Sequence, residues 1–293
     1  MEQQHKGILS IILSALLFGS MGILVRLIDV EVPPFSQVLF RAIISIGLLV
    51  IFLLPKNKDF FKIKKNDLLY YFIGGVFGYG LMLILFTLSL LNTTIANTFF
   101  LLFTEPFFVI IIGYFFLKEK ISKKILIAIL LCFFGIFFIL NPTSIGNNLI
   151  GNLYGLGAGF FYAIYILIGK YMGRKYSSST NTLWTFLFAL LFLIPVTFLF
   201  ENPSTLSISP NIWFLLFLFG AINFSAYILL NVGLRKITAG HVSILLLFEP
   251  VSSIIYAFLF FGEIPNLSTI IGSFLIILGI LYLSINNDSK KNL

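Results

Sequence analysis

Residues 96–120 read ANTFFLLFTEPFFVIIIGYFFLKEK and residues 240–264 read GHVSILLLFEPVSSIIYAFLFFGEI, one segment written twice, 144 positions apart. The likeness runs on through FFGIFFIL and ILGILYL to the ends of the two copies near residues 140 and 284. Glu105-Pro106 falls on Glu249-Pro250, Glu119 on Glu263, and Gly135 on Gly279. Each copy therefore sets one carboxylate and one proline in an otherwise apolar helix. An ionised side chain at the centre of a bilayer costs on the order of 2.5–3.5 kcal/mol on insertion scales, so residues of this kind mark function by default. Two of them at matched places in a repeat mark a solute pathway.

Apolar residues make up 59% of the 293-residue chain and charged residues 10%, a balance that no soluble domain of this size carries. Apolar runs of about 17–25 residues recur, each long enough to cross the hydrocarbon core as a helix. Ten are placed, over residues 7–28, 35–54, 68–91, 95–117, 124–140, 150–171, 181–200, 212–234, 240–261 and 267–285. The short alternating segments of a membrane β-barrel are missing. The first run is too long for a signal peptide and lacks a small-residue cleavage site, so it is read as a retained helix. One cysteine, Cys132, permits no internal disulfide. The sequence predicts an all-α, polytopic integral membrane protein with no soluble domain.

A net charge of +8 would suit a nucleic-acid partner, but the positions of the cations argue against one. Seventeen of the 19 Lys/Arg residues sit at alternate helix junctions: Lys6; Lys56 to Lys65; Lys118 to Lys124; Lys170, Arg174 and Lys175; Arg235 and Lys236; Lys290 and Lys291. The loops near Asp29–Pro34, Asn92–Thr94, Asn141–Gly151, Glu201–Asn211 and Gly262–Asn266 hold none. Cations stay on the cytoplasmic side, so both termini are expected there and the number of spans is even.

Five spans per repeat is odd, so the second half should cross the membrane inverted. The loops agree: Glu119 lies among lysines, whereas Glu263 lies in the lysine-free GEIPN. Conversely the neutral Asn92–Thr94 turn has Arg235-Lys236 as its counterpart. The offset extends outward to Tyr79 on Asn223, Phe40 on Trp184 and Gly7 on Gly151. Inverted halves set matched residues at one depth about an axis in the membrane plane. The expected units are residues 1–145 and 146–293, joined through Asn141–Asn152.

Residues 14–27, SALLFGSMGILVRL, and residues 35–45, FSQVLFRAIIS, join the two Glu-Pro segments in resembling the EamA family of the drug/metabolite transporter superfamily. The likeness covers nearly the whole chain. It implies ten helices in a five-plus-five arrangement and movement of small solutes, often export of amino acids or other metabolites, through a central cavity lined by both halves. No cofactor is implied. The home implied is the plasma membrane, and the partners are the bilayer, a small-molecule solute and protons as a candidate coupling ion. The chain is expected to be a monomer or a homodimer.

Glu105 and Glu249 are the first candidates for substrate binding or coupling. A mid-span carboxyl that gains and loses a proton as the cavity faces each side would couple proton to solute movement; the structural alternative is a permanently protonated Glu bonded to a neighbouring helix. Pro106 and Pro250 free the carbonyls of Leu102 and Leu246, as cavity ligands, hinges or plain packing kinks. Asn97 shares a helical face with Glu105 at i, i+8, as His241 does with Glu249, where Ser252, Ser253 and Tyr256 continue the stripe. Asn223, Tyr227 and Asn231 form a stripe on helix eight, and Tyr154, Tyr162 and Tyr165 one on helix six. Polar faces in lipid turn inward. Inter-helix hydrogen bonds of about 0.6 kcal/mol each would also explain them. Tyr79, Asn223, Tyr162, Tyr227 and Asn97 are carried forward as lining candidates; His241 is read as structural.

Arg26 and Arg41 are the cations away from the basic junctions. Arg26 can snorkel or pair with Asp29 and Glu31. Arg41 lies more than a turn inside helix two, where a substrate carboxylate contact competes with a structural ion pair or helix-end contact; the peripheral place of helix two in the family favours scaffold. Gly155 and Gly159, with Ala128, Gly135, Gly272 and Gly279, suit close helix packing, and helices five and ten could alternatively form a dimer face.

A broad exporter of organic cations is the competing transporter reading, because buried carboxylates suit a cation and 17% aromatic residues suit its apolar body. Sugar-phosphate transport would need mid-depth Lys or Arg in the late helices, and none is there. An enzyme is disfavoured by the lack of HExxH, Gly-x-Ser-x-Gly, a His cluster or a carboxylate beside either Glu. Two histidines and one cysteine make a metal site improbable. A pump lacks a Walker motif, and a channel lacks a filter-like repeat.

Overall fold

In the computed structural model, which describes residues 2–53, 61–93, 95–140, 148–262 and 264–285, regular structure is entirely helical. Lys56, Lys58, Thr94, residues 141–147, Glu263, Lys290 and Lys291, on which parts of the charge and repeat readings rest, lie outside the described residues, as does the side chain of Arg26. Helices α1 (Glu2–Ile28) and α2 (Pro34–Leu53) are followed by a third span made of three pieces: α3 (Leu68–Phe72), a π-helical stretch (Ile73–Leu81) and α4 (Met82–Asn92). Next come α5 (Ile95–Leu102), α6 (Glu105–Phe116), α7 (Lys123–Leu140), α8 (Leu149–Gly173), α9 (Ser178–Phe200) and α10 (Pro210–Lys236). The chain closes with α11 (Ala239–Leu246), α12 (Glu249–Phe261) and α13 (Leu267–Ile285). Ten spans are long and apolar enough to cross a membrane, and the molecule is a polytopic membrane protein.

The outside of the bundle is oily because lipid, unlike water, leaves large apolar side chains no reason to hide. Leu199 is 78% exposed, Phe115 75% and Phe260 68%. Polar groups turn inward instead. Asn223, Ser45, Thr98 and Ser243 are fully buried, and each must find a partner where no water reaches.

Helix α1 packs along α10 and touches α11 and α12, while α8 runs against α4, α5 and α6. Helices α7 and α13 pack on each other through small residues. A Cβ on Gly135 would stand 2.6 Å from the Gly272 carbonyl, and one on Gly272 2.4 Å from the Gly135 carbonyl. Ala128 meets Gly279 in the same way, and the Cys132 thiol donates to the Ile276 carbonyl at 3.7 Å. These small residues are thus used inside one chain, which removes the need for a dimer to explain them.

The two Glu-Pro helices differ from the sequence expectation. A proline kink in a continuous helix was predicted at each; the structure shows two helices and a tight turn. Proline has no N–H, so the ladder cannot continue past the preceding turn, and its fixed φ suits the start of a new helix. Bonds spanning three residues take over at the junctions, from Thr104 to Leu101 and from Phe248 to Leu245. Glu105 and Glu249 therefore head α6 and α12, with Pro106 and Pro250 just inside them. Because the break resets the helical phase, Asn97 and Glu105 do not share a continuous face, nor do His241 and Glu249.

Candidate functional site

Both glutamates lie near mid-span, but their surroundings differ. Glu105 is 1% exposed, and its carboxyl accepts a 2.6 Å hydrogen bond from the Ser243 hydroxyl of α11. Ser243 has Phe99 at the matching position of the first half, so no such donor serves Glu249. The Glu249 carboxyl takes no hydrogen bond or ion pair from any described residue and keeps partial accessibility while lying deep in the bundle. The two carboxyls lie within electrostatic reach of each other, and Tyr162 lies within reach of both.

A nest of rings sits beside them. Tyr227 packs edge-on to Tyr79, Tyr165, Phe186 and Phe18, with ring centroids 4.9–5.2 Å apart, and Tyr162 lies 6.4 Å from Tyr165. Tyr79 approaches Asn223, its match 144 positions on, with oxygens 3.4 Å apart, while the Asn223 amide donates to Ser45 at 2.9 Å. Asn231 donates to Tyr165 and Thr182 at 3.0 and 3.1 Å. Asn223 and Asn231 thus act as hydrogen-bond hubs. The hydroxyls of Tyr162 and Tyr227, both buried, make no hydrogen bond to a described residue.

Of the sequence candidates, the structure groups Glu105, Glu249 and Tyr162 at the helix breaks and Tyr79, Asn223 and Tyr227 in the adjoining nest. Asn97 stands apart: its amide donates to Thr93, one turn back toward the lysine-poor end. The His241 ring pairs with Thr238 at 2.6 Å, a structural contact. Ser252 and Ser253 donate to the Ala15 and Gly19 carbonyls at 3.1 Å, pinning α12 to α1. Gly159 lets α8 come close to the helix break, since a Cβ there would lie 2.9 Å from the Leu101 and Leu102 oxygens. Ser243, Ser45, Phe18 and Phe186 were not singled out from the sequence. Ser243 left one signal, a lone hydroxyl in the apolar run of α11.

The ends of the bundle are tied by carboxylates. At the lysine-rich end Glu119 accepts the Ala239 N–H at 3.0 and 3.1 Å from its two oxygens, and Lys170 donates to the Ile237 carbonyl at 2.7 Å. Burial pushes the Glu119 carboxyl above the ordinary range, with the Ala239 N–H and then Lys170 opposing the shift. Asp67 accepts from Lys175 and Tyr176 at 2.7 Å each. At the opposite end Glu201 accepts the Phe35 and Ser36 N–H groups at 2.9 and 2.6 Å, and Glu31 accepts the Ser209 N–H at 2.7 Å. A depression of about 460 Å³ at the lysine-rich end is lined by Arg174, Arg235 and Lys236 among others, and none of its lining residues belongs to the glutamate site.

A polytopic bundle with broken helices meeting at buried carboxylates defines a membrane transporter. The model of the EamA-like transporter family matches residues 5–141 and 149–285, and the chain belongs to that family. A relative in Clostridium kluyveri, described as an uncharacterized transporter, is 26% identical over 98% of this chain and 96% of its own. The pseudopaline exporter CntI of Pseudomonas aeruginosa is 25% identical, covering 95% of each chain. The riboflavin transporter ImpX of Fusobacterium nucleatum is 28% identical over 97% of this chain and 99% of that one. A solved crystal structure, 14% identical, superposes with a TM-score of 0.83 over 99% of this chain and all of that one, a likeness of fold alone. The protein is therefore a multi-pass transporter of the cell membrane, not an enzyme.

Proposed function

We propose that the chain exports small metabolites, amino acids or related compounds, by alternating access, with Glu249 as the central solute-binding or coupling group. The observation that carries this is a mid-span carboxyl that is deep, unpartnered and partly reachable, at the head of a half-helix. A helix N-terminus favours the ionised form of a carboxyl placed there, whereas loss of water favours the neutral one. Opening to one side of the membrane and then the other changes the second influence and leaves the first, so the group can take up and release a proton in step with the cycle. Glu105, tied to Ser243, is the more structural of the pair.

The halves 1–145 and 146–293 are the inverted units of this cycle, with both termini cytoplasmic. The reading is supported by contacts between matched residues, Tyr79 with Asn223 and Cys132 with Ile276, each pair 144 apart. Carboxylate ties at both ends of the bundle are the contacts such a cycle would make and break. Tyrosine faces beside Glu249 also suit a plain organic cation, which is the second reading. The direction of transport, the proton and the class of solute are tested together by mass-spectrometric comparison of spent medium from cells expressing wild type, Glu105→Gln, Glu249→Gln or empty vector. The expected outcome is a small set of metabolites enriched by wild type, at least tenfold less by Glu249→Gln, and less affected by Glu105→Gln. Equal enrichment by all three proteins would reduce both glutamates to scaffold; no enrichment by wild type would remove export.

A further inference from the structure

At the lysine-rich end the depression of about 460 Å³ is of small-ligand size, roughly 300–1,000 Å³. The end of α8 brings Gly173 and Arg174 to it, the start of α9 brings Ser178, and the end of α10 brings Arg235 and Lys236. Among the described residues no carboxylate lines it. The Arg174 guanidinium makes no ion pair or hydrogen bond with a described residue. Glu119, the acid that its charge reaches, is taken up by the Ala239 N–H. Arg235 donates through Nε to the Gly173 carbonyl at 3.2 Å, and the Lys236 ammonium is held by the neutral amide oxygen of Gln3. Three cations thus converge without a counter-charge.

Cations at this end follow from membrane orientation alone, so the charge by itself decides nothing. Two buried donors beside it say more. Ser178 is 7% exposed, and its Oγ is buried with no partner among the described residues. Asn181, three residues on, is 1% exposed; its Oδ1 accepts the Tyr71 hydroxyl at 2.7 Å, which leaves Nδ2 a donor without an acceptor. Both stand in the first turn of α9, where the helix dipole is positive. Gly173 keeps the way to that turn open, since a Cβ there would lie 2.9 Å from the Arg235 Cγ and 3.6 Å from the Asn181 Nδ2. Guanidinium, ammonium, hydroxyl, amide and helix start all lack the same thing, an acceptor with negative charge. The inverted half has Val30, Leu91 and Asn92 at the places of Arg174, Arg235 and Lys236, so this set of cations belongs to one end of the bundle only.

We propose that this depression is a binding site for a phosphate-class oxyanion, supplied by the headgroup of an anionic lipid in the leaflet at that end. Arginine forks match phosphate oxygens with parallel donors, and basic pockets between helix ends are where anionic headgroups are held. Val232, one turn deeper on α10 than Lys236, adds an apolar wall toward the hydrocarbon, which suits a lipid better than a free phosphate. A bound headgroup joins the ends of α8, α9 and α10, and so braces at one end the helices that carry Tyr162 and Tyr227. This is a second site, independent of the solute that the central one carries.

The test is thermal unfolding of the purified full chain in an uncharged detergent, titrated with short-chain phosphatidylglycerol, phosphatidylcholine, glycerol 3-phosphate or inorganic phosphate. The result expected is saturable stabilisation by phosphatidylglycerol at concentrations tenfold or more below those of phosphatidylcholine and of the soluble phosphates. The double variant Arg174→Gln, Arg235→Gln should lose that response. Lys120→Gln with Lys123→Gln removes the same charge from exposed positions at the same end, outside the depression, and should keep it. Ser178→Ala decides the matter if the arginine variant does not fold. It removes a buried hydroxyl that has no partner to lose, so the unliganded protein should unfold no earlier while its response to phosphatidylglycerol weakens several-fold. A response to soluble phosphates as strong as that to phosphatidylglycerol would overturn the lipid as the source. Equal action of both lipids, no stabilisation by any phosphate, or equal loss in the lysine and arginine variants would overturn the site itself.

Discussion

Ser243 and Phe99 occupy matching places in the two halves, and that single difference gives Glu105 a hydrogen bond that Glu249 lacks. Removing the donor leaves a buried carboxyl without its partner, at about 1–3 kcal/mol. Ser243→Ala should therefore lower the unfolding temperature in detergent while leaving transport closer to wild type than Glu249→Gln does; a transport loss equal to that of Glu249→Gln would make Glu105 an equal participant. The glutamates themselves were legible in the sequence, because a charge in an apolar run stands out. The inequality between them was not, since Ser243 is distant in sequence and faces Glu105 only across the gap between α11 and α6. Arg41 was legible as an oddity, but its lack of an ion partner among the described residues and its place over the Phe219 ring were not, because these are properties of three-dimensional neighbours.

At the scale of elements, apolar runs placed all ten spans to within a few residues in most cases. What they could not separate was a kinked helix from two helices joined by a turn, because a proline at the start of a new helix and a proline in an old one have the same letters around them. The π-helical stretch Ile73–Leu81 was equally invisible, since hydrophobicity all round the segment leaves no phase to follow. Small residues fared better. Gly135 and Gly272 do bring helices together, with each missing Cβ replaced by the other's carbonyl. Gly135→Ala should cost about 1–3 kcal/mol through overpacking, read as a lower unfolding temperature in micelles. Gly47→Ala is the control: nothing lies within 4 Å of its added Cβ, so it should be neutral or slightly stabilising. Equal effects at both sites would mean that the α7–α13 contact contributes little.

For the whole molecule, the packed arrangement is tied at both ends, at the lysine-rich end by Glu119 on the first turn of α11. Burial raises the Glu119 carboxyl above its ordinary range, so the folded state holds that proton more tightly than the unfolded one. Stability then falls as pH rises from the ordinary carboxylate range through the raised folded value, and is regained on acidification. Glu119→Gln should flatten that part of the pH profile of unfolding in micelles; an unchanged profile would assign the dependence to another group.

The central claim is that one interior site is reached in turn from both sides of the membrane. It can be tested without knowing the solute. Cys132 is buried and is the only cysteine of the chain, so in a Cys132→Ser background a Tyr162→Cys variant carries a single reporter inside the candidate site. The measurement is its labelling by a membrane-impermeant thiol reagent added to one side or the other of sealed vesicles. Alternating access predicts labelling from both sides, with occlusion of one side when the protein is held open to the other. Labelling from one side alone under every condition would make the site a closed-ended pocket and contradict the account.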